Sequence, residues 1–212
     1  LTNTNDLTAD TSFAGLTFNS GEGAFTLLGN RITLGGNVAN WSTNAQTISL
    51  PMILSGTRDI NATNSHVTLN GSLSGTGGLA KYGPYWLTIN ASNSYDGVTT
   101  VYKGTLAVNH SSALGSTNGN TVIQGTAGGF LRLGSGLTIA EPLVLNGEYN
   151  NGGTLNSSSG TATNILAGPI ICTAQPRFQI GSGTLIISGG VTQSDGGGLF
   201  VINASSTMIF NT

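Results

Sequence analysis

The chain has 212 residues, 33 of them glycine, and only 7% are charged, against about a quarter in an ordinary soluble domain. Its six basic residues (Arg31, Arg58, Lys81, Lys103, Arg132 and Arg177) are scattered through a chain of formal net charge −2. They form no stripe able to neutralise phosphates, so nucleic acid is not an expected partner. No apolar run reaches the roughly 20 residues of a membrane helix, so this segment is not expected to insert in a membrane.

The polar residues are mostly Thr, Ser, Asn and Gly, which disfavour helix and suit short strands joined by tight turns. In chain order, one phrase recurs: an alternating apolar strand, a glycine turn, then a further apolar residue. It runs through Phe25-Thr26-Leu27-Leu28-Gly29 to Ile32 and Leu34, and through Val67-Thr68-Leu69-Asn70-Gly71 to Leu73. It returns in Leu143-Val144-Leu145-Asn146-Gly147, and in Leu185-Ile186-Ile187-Ser188-Gly189 before Val191. Strand centres fall at Leu28, Ile48, Leu69, Leu87, Leu106, Ile123, Ile139, Ile165, Leu185 and Ile209, mostly 16–21 residues apart. Gly152–Gly160 reads as an expanded turn rather than a linker.

The apolar period is two and no helix is signalled. These features predict one all-β domain over residues 1–212, a parallel β-helix of roughly ten coils with two or three strands each. Such a coil cannot bury its own apolar face, so the core exists only between stacked coils. Neutral Thr, Ser and Asn ladders avoid stacking like charges on one another. Leu1 follows no signal segment, and Met208-Ile209-Phe210-Asn211-Thr212 lies within a strand phrase. Neither end has a polar cap, as expected of a chain that stacks end to end as a homo-oligomer or of a piece of a longer one.

Residues 75–115 closely resemble the autotransporter-associated β-strand repeat of bacterial surface proteins. The resemblance rests on Gly75, Gly77-Gly78-Leu79, Lys81, Gly83, Leu87 and Ile89. It continues through Asn93, Tyr95, Gly97, Thr99, Val101, Gly104-Thr105-Leu106-Ala107-Val108 and Leu114-Gly115. It implies a secreted or cell-surface parallel β-helix in which the repeat is structural rather than catalytic. Gly77, Gly78, Gly83, Gly97 and Gly104 are expected at corners, where positive φ or close backbone approach is required. Leu87/Ile89, Val101 and Leu106/Val108 are expected to fill three successive core walls. Asn93 and Tyr95 are expected to fix the long turn, with the Tyr95 ring laid over the coil edge. The segment departs from the family at Pro84-Tyr85-Trp86 and at Ala91.

Three chemistries compete with a purely structural role. A polysaccharide-acting enzyme would need converging acids. The eight acids (Asp6, Asp10, Glu22, Asp59, Asp96, Glu141, Glu148 and Asp195) are dispersed without a pair, so no catalytic residue is assigned. His66 and His110 lie about two coils apart and lack further ligands, and Ser194-Asp195-Gly196-Gly197-Gly198 matches neither a calcium nor a phosphate loop. No metal or cofactor is therefore expected, and the lone Cys172 reads as a buried small hydrophobe. Lys81, Tyr82, Tyr85, Trp86, Tyr102 and Lys103 form one aromatic and basic concentration. Its rings, Tyr85 and Trp86 above all, either stack on sugars or a host surface, or pack beneath a long turn. The expected function is a non-catalytic extracellular structural or adhesive solenoid, with a polysaccharide-acting enzyme or carbohydrate-binding module as alternatives.

Overall fold

A computed structural model describes residues 1–124, 128–147, 154–194, 200–203 and 206–211. The described residues form strands and turns without a helix, wound as a parallel β-solenoid. Each coil passes along a first, a second and a third wall before it rejoins the first.

The first wall stacks β1 (Thr2–Asn5), β4 (Thr26–Gly29), β7 (Gln46–Ile48), β10 (Val67–Leu69) and β13 (Leu87–Ile89). It continues with β15 (Gly104–Val108), β17 (Gly129–Leu133), β20 (Thr154–Leu166), β22 (Arg177–Ile187) and β24 (Phe200–Asn203). The third wall stacks β3 (Leu16–Phe18), β6 (Val38–Asn40), β9 (Arg58–Ala62), β12 (Leu79–Tyr82) and β14 (Thr99–Val101). Then follow β16 (Thr121–Gln124), β19 (Leu143–Gly147), β21 (Ile170–Ala174) and β23 (Val191–Gln193). The second wall is interrupted. It begins with β2 (Thr11–Phe13), β5 (Ile32–Leu34), β8 (Met52–Leu54) and β11 (Leu73–Ser74). It resumes as β18 (Thr138–Ile139), the second halves of β20 and β22, and β25 (Ser206–Phe210).

Alternation decides which residues face in. Val67, Leu87, Leu106, Leu131, Leu155 and Phe178 form one inward column of the first wall, each buried and each in register with the next. Val38, Ile60, Lys81, Val101, Ile123, Leu145 and Cys172 form the matching column of the third. A lysine thus occupies a rung of an aliphatic ladder, and Cys172 packs in it as a small hydrophobe. Outside, Asn70, Asn90 and Asn109 form an exposed ladder in which each amide donates to the Asn below (2.8 and 2.7 Å).

Several expectations need correction. Coils take 19 residues between Leu87 and Leu106 but 25 between Leu106 and Leu131. Loop expansion at the corners stretches the steps, so Ile123 belongs to the third wall and is not the first-wall strand of its coil. Leu87/Ile89 and Leu106/Val108 are neighbouring rungs of the first wall, with Val101 on the third, so they fill two walls rather than three. The stretch expected as an expanded turn at Gly152–Gly160 enters β20 at Thr154. Gly160 there has φ +65° and the pairing register shifts beside it, a bend within a strand. Residues 151–153 lie outside the described residues, as do Glu148, Asp195, Gly197 and Gly198.

Candidate lateral binding site

The corner glycines stand where sequence placed them. Gly83 and Gly104 have φ of +81° and +72°, in the left-handed region that favours glycine. Gly77, Gly78 and Gly97 are required by proximity instead. A Cβ on any of them would lie 2.1–2.5 Å from backbone of the adjacent coil.

Asn93 bridges three coils across the gap in the second wall. The Leu73 amide donates to its Oδ1 (2.8 Å) and its Nδ2 donates to the Ala113 carbonyl (2.6 Å). Tyr95 is fully buried with its hydroxyl 2.6 Å from Thr99 Oγ1, so its ring fills the interior rather than lying over the coil edge. Ala113 and Leu114 are buried in the same part of the core, closing a wall that has no strand there.

Lys81 stands apart from the other members of the aromatic and basic concentration. Its stem follows the inward ladder, and its ammonium donates to the carbonyls of Tyr82 (2.7 Å), Gly83 (2.8 Å) and Lys103 (2.9 Å). Burial pulls its pKa down to about 7. Three carbonyl acceptors oppose that pull, because only the charged form has three protons to give.

Lys81 thereby fixes the corner between the third and first walls, and the aromatics gather on the outside of that corner. Trp41, Tyr85 and Trp86 are exposed there. Tyr82 and Tyr102, one rung apart, stack with centroids 4.7 Å apart and planes within 6°. His66 meets Tyr85 and Trp86 edge-on, and its Nδ1 accepts the Trp86 amide (3.1 Å). Gly83 and Pro84 shape the turn so that Tyr85 and Trp86 point outward.

From Trp86 the face continues along the first wall. Register carries Leu87 to Leu106 and Leu131, so the outward residues just before them, Trp86, Thr105 and Phe130, lie in one column. Two rungs beyond Phe130 the register brings Arg177 to the same column. Beside it run Thr88, Ala107, Arg132, Asn156 and Gln179. Ala107 is small enough for Arg132 to reach back across it. The Arg132 guanidinium carbon lies 5.2 Å from the Trp86 ring centroid, a cation–π contact. Trp86, Thr105, Phe130, Arg132, Asn156 and Gln179 line a shallow cleft of about 110 Å³. Trp86 and Phe130 remain 39% and 37% exposed within it, so apolar ring surface is open to a ligand. Asn156 Nδ2 donates to Gln179 Oε1 (3.1 Å), whereas Asn156 Oδ1 and Arg177 Nε are buried without a hydrogen-bond partner.

Among the described residues, no acid lines the Trp86–Gln179 cleft. Asp10 pairs with Arg31, Asp59 accepts from Asn37, and Ser116 and Asn118 donate to Asp96 and hold its carboxyl below the usual range. Among the described residues no three His, Cys, Asp or Glu side chains converge. His110 is part of a local turn, its Nδ1 accepting the Ser112 amide (3.0 Å). Glu141 is the unusual acid. It sits in a column otherwise made of Gly77, Gly97, Gly119, Gly168 and Gly189, is only 4% exposed, and neither carboxyl oxygen has a hydrogen-bond partner. Burial pushes its pKa up to about 7.

Sequence reasoning found Tyr85 and Trp86 but missed Phe130, Arg132 and Arg177. Aligning Leu87, Leu106 and Leu131 as one column would have revealed them, but unequal coil lengths hid that alignment. Comparison with protein-family models, with curated proteins and with solved structures finds no match for this chain.

Proposed function

We propose that this chain is a non-catalytic, extracellular β-solenoid with a structural and adhesive role, part of a longer stack of coils that presents its lateral aromatic strip to a surface. The observation that carries this reading is the exposed run of Trp41, Tyr85, Trp86 and Phe130 on a rigid, charge-poor scaffold. Exposed rings grouped on one face are characteristic of contact surfaces rather than of inert ones. The resemblance of residues 75–115 to the repeat of bacterial surface proteins supports the same role and location.

Stacking is supported by the outer face of the first coil. β1, β2 and β3 each lie at the edge of their sheets, with Phe13, Leu16, Phe25 and Leu27 only partly buried beside them. A recess of about 340 Å³ opens among Phe13, Leu16, Leu27 and Ile32. Another parallel coil would pair those edges and cover that surface.

Immobilised protein is expected to retain cells or polysaccharide-coated beads under flow. The triple variant Trp41→Ala, Tyr85→Ala, Trp86→Ala should lose most of that retention with an unchanged far-UV circular dichroism spectrum. Equal retention by the folded triple variant would sink the adhesive reading. Electron microscopy of concentrated protein is expected to show fibres one solenoid wide, and monodisperse short rods would remove self-association from the proposal.

A further inference from the structure

Resting on that adhesive reading, we infer that the first-wall groove from Trp86 through Phe130 to Arg177 binds an acidic polysaccharide of the uronic-acid type, lying along the solenoid axis.

Geometry sets the ligand's shape. Rungs are about 4.8 Å apart, so Trp86 and Phe130, two rungs apart, are separated by roughly 10 Å along the axis, and Arg177 lies about as far again. A linear polymer spans this distance, whereas a compact metabolite would touch one ring. The cleft is shallow and open along the axis, which suits a chain passing through it.

The side chains set the ligand's chemistry. A pyranose offers a C–H face that stacks on an aromatic ring and a rim of hydroxyls that bond planar amides. Trp86 and Phe130 supply rings two rungs apart, Asn156 supplies an amide on the rung between Phe130 and Arg177, and Gln179 supplies one beside Arg177. Arg132 and Arg177 add charge, and neither forms an ion pair among the described residues. The seven neighbouring outward positions (Thr105, Ala107, Phe130, Arg132, Asn156, Arg177 and Gln179) contain no acid. Two positive charges thus collect on one strip of a chain whose net charge is −2. A guanidinium matches a carboxylate in fork geometry.

A nucleic acid is also anionic and able to stack, but two arginines spread over the strip neutralise at most two phosphates. The adjoining Thr, Asn and Gln positions are suited to hydroxyl groups.

The test is titration of the full chain with polygalacturonate, with dextran as the neutral polymer and oligothymidylate as the other polyanion. Polygalacturonate is expected to bind, more weakly as salt is raised, and the other two not to bind. Arg132→Gln and Arg177→Gln should each weaken binding about tenfold, since a charge-assisted hydrogen bond is worth about that much. Trp86→Ala should cost about tenfold and Trp86→Phe much less. These are outward positions, and unchanged circular dichroism checks the fold. Absence of polygalacturonate binding, equal binding by the Arg132→Gln, Arg177→Gln double variant, equal binding of dextran, or tighter binding of oligothymidylate would each overturn the inference. If cells are still retained through Trp41, Tyr85 and Trp86 while polygalacturonate is ignored, the adhesive role stands and only the ligand assignment fails.

Discussion

Replacing Lys81 by methionine is expected to destabilise the solenoid by about 4 kcal/mol, because it leaves three carbonyl groups at one corner without their donor. Methionine keeps the length and much of the apolar stem, so the column from Val38 through Ile60 to Val101 still packs. What disappears is the single group that holds Tyr82, Gly83 and Lys103 together. Those carbonyls belong to two successive coils, so the bond network closes the corner within one coil and ties it to the next. Lys81→Arg should fare little better, since a planar fork cannot converge on three oxygens around one nitrogen. Thermal unfolding is the measurement. For a chain of this size the midpoint should fall by roughly 8–16 °C. A shift of only a degree or two would mean that water replaces the ammonium at that corner. Because Tyr85 and Trp86 follow the same corner, Lys81→Met should also weaken retention on the adhesive face.

The solenoid itself was legible in the sequence because its cause is repetitive. Period-two alternation, glycine punctuation and a scarcity of charge all follow from stacking identical coils, and each can be counted without knowing the register. The corner glycines were legible for the same reason, since a glycine that meets neighbouring backbone recurs at every coil. Tyr85 and Trp86 stood out as large rings in a turn. What remained hidden depended on coil length. Phe130 comes 44 residues after Trp86 in the chain yet occupies the same column, because one coil takes 19 residues and the next 25. Sequence groups Lys81 with the neighbouring aromatic and basic residues and gives no sign of a core position, because lysine is rarely buried. Only the three convergent carbonyls make its interior position tolerable. Tyr95 was misplaced for a related reason. A missing strand in the second wall leaves interior volume that a large side chain must fill, and the gap cannot be seen until the strands on either side are placed.

Glu141 carries the second large expected effect, a loss of stability with rising pH. Its carboxyl is buried without a hydrogen-bond partner, and burial raises its pKa from the ordinary 4.5 to about 7. The native state therefore holds this proton more tightly than the unfolded chain does. Below about pH 4.5 the group is neutral in both states and costs nothing in ionisation. Between about 4.5 and 7 the unfolded chain releases the proton first, so stability falls as pH rises, and above 7 the loss is complete. The separation of the two values corresponds to about 3 kcal/mol. Tyr95 is the titratable neighbour. Burial raises its hydroxyl pKa, the bond to Thr99 opposes that, and the Glu141 charge adds to it, so it stays neutral throughout this window. Lys81, lowered from 10.5 to about 7 by burial, works the other way above about 7, where the unfolded chain holds more protons and stability rises with pH, and it is common to both proteins compared below. Glu141→Gln keeps the shape and removes the charge, so it should match the native protein at pH 4 and exceed it at pH 8. Urea midpoints of both proteins at the two pH values measure this directly. Parallel behaviour of the two would mean that the carboxyl reaches water in solution, and would remove Glu141 as the source of pH sensitivity. The expected divergence would show that one acid in a column of glycines costs the stack stability as pH rises towards neutrality.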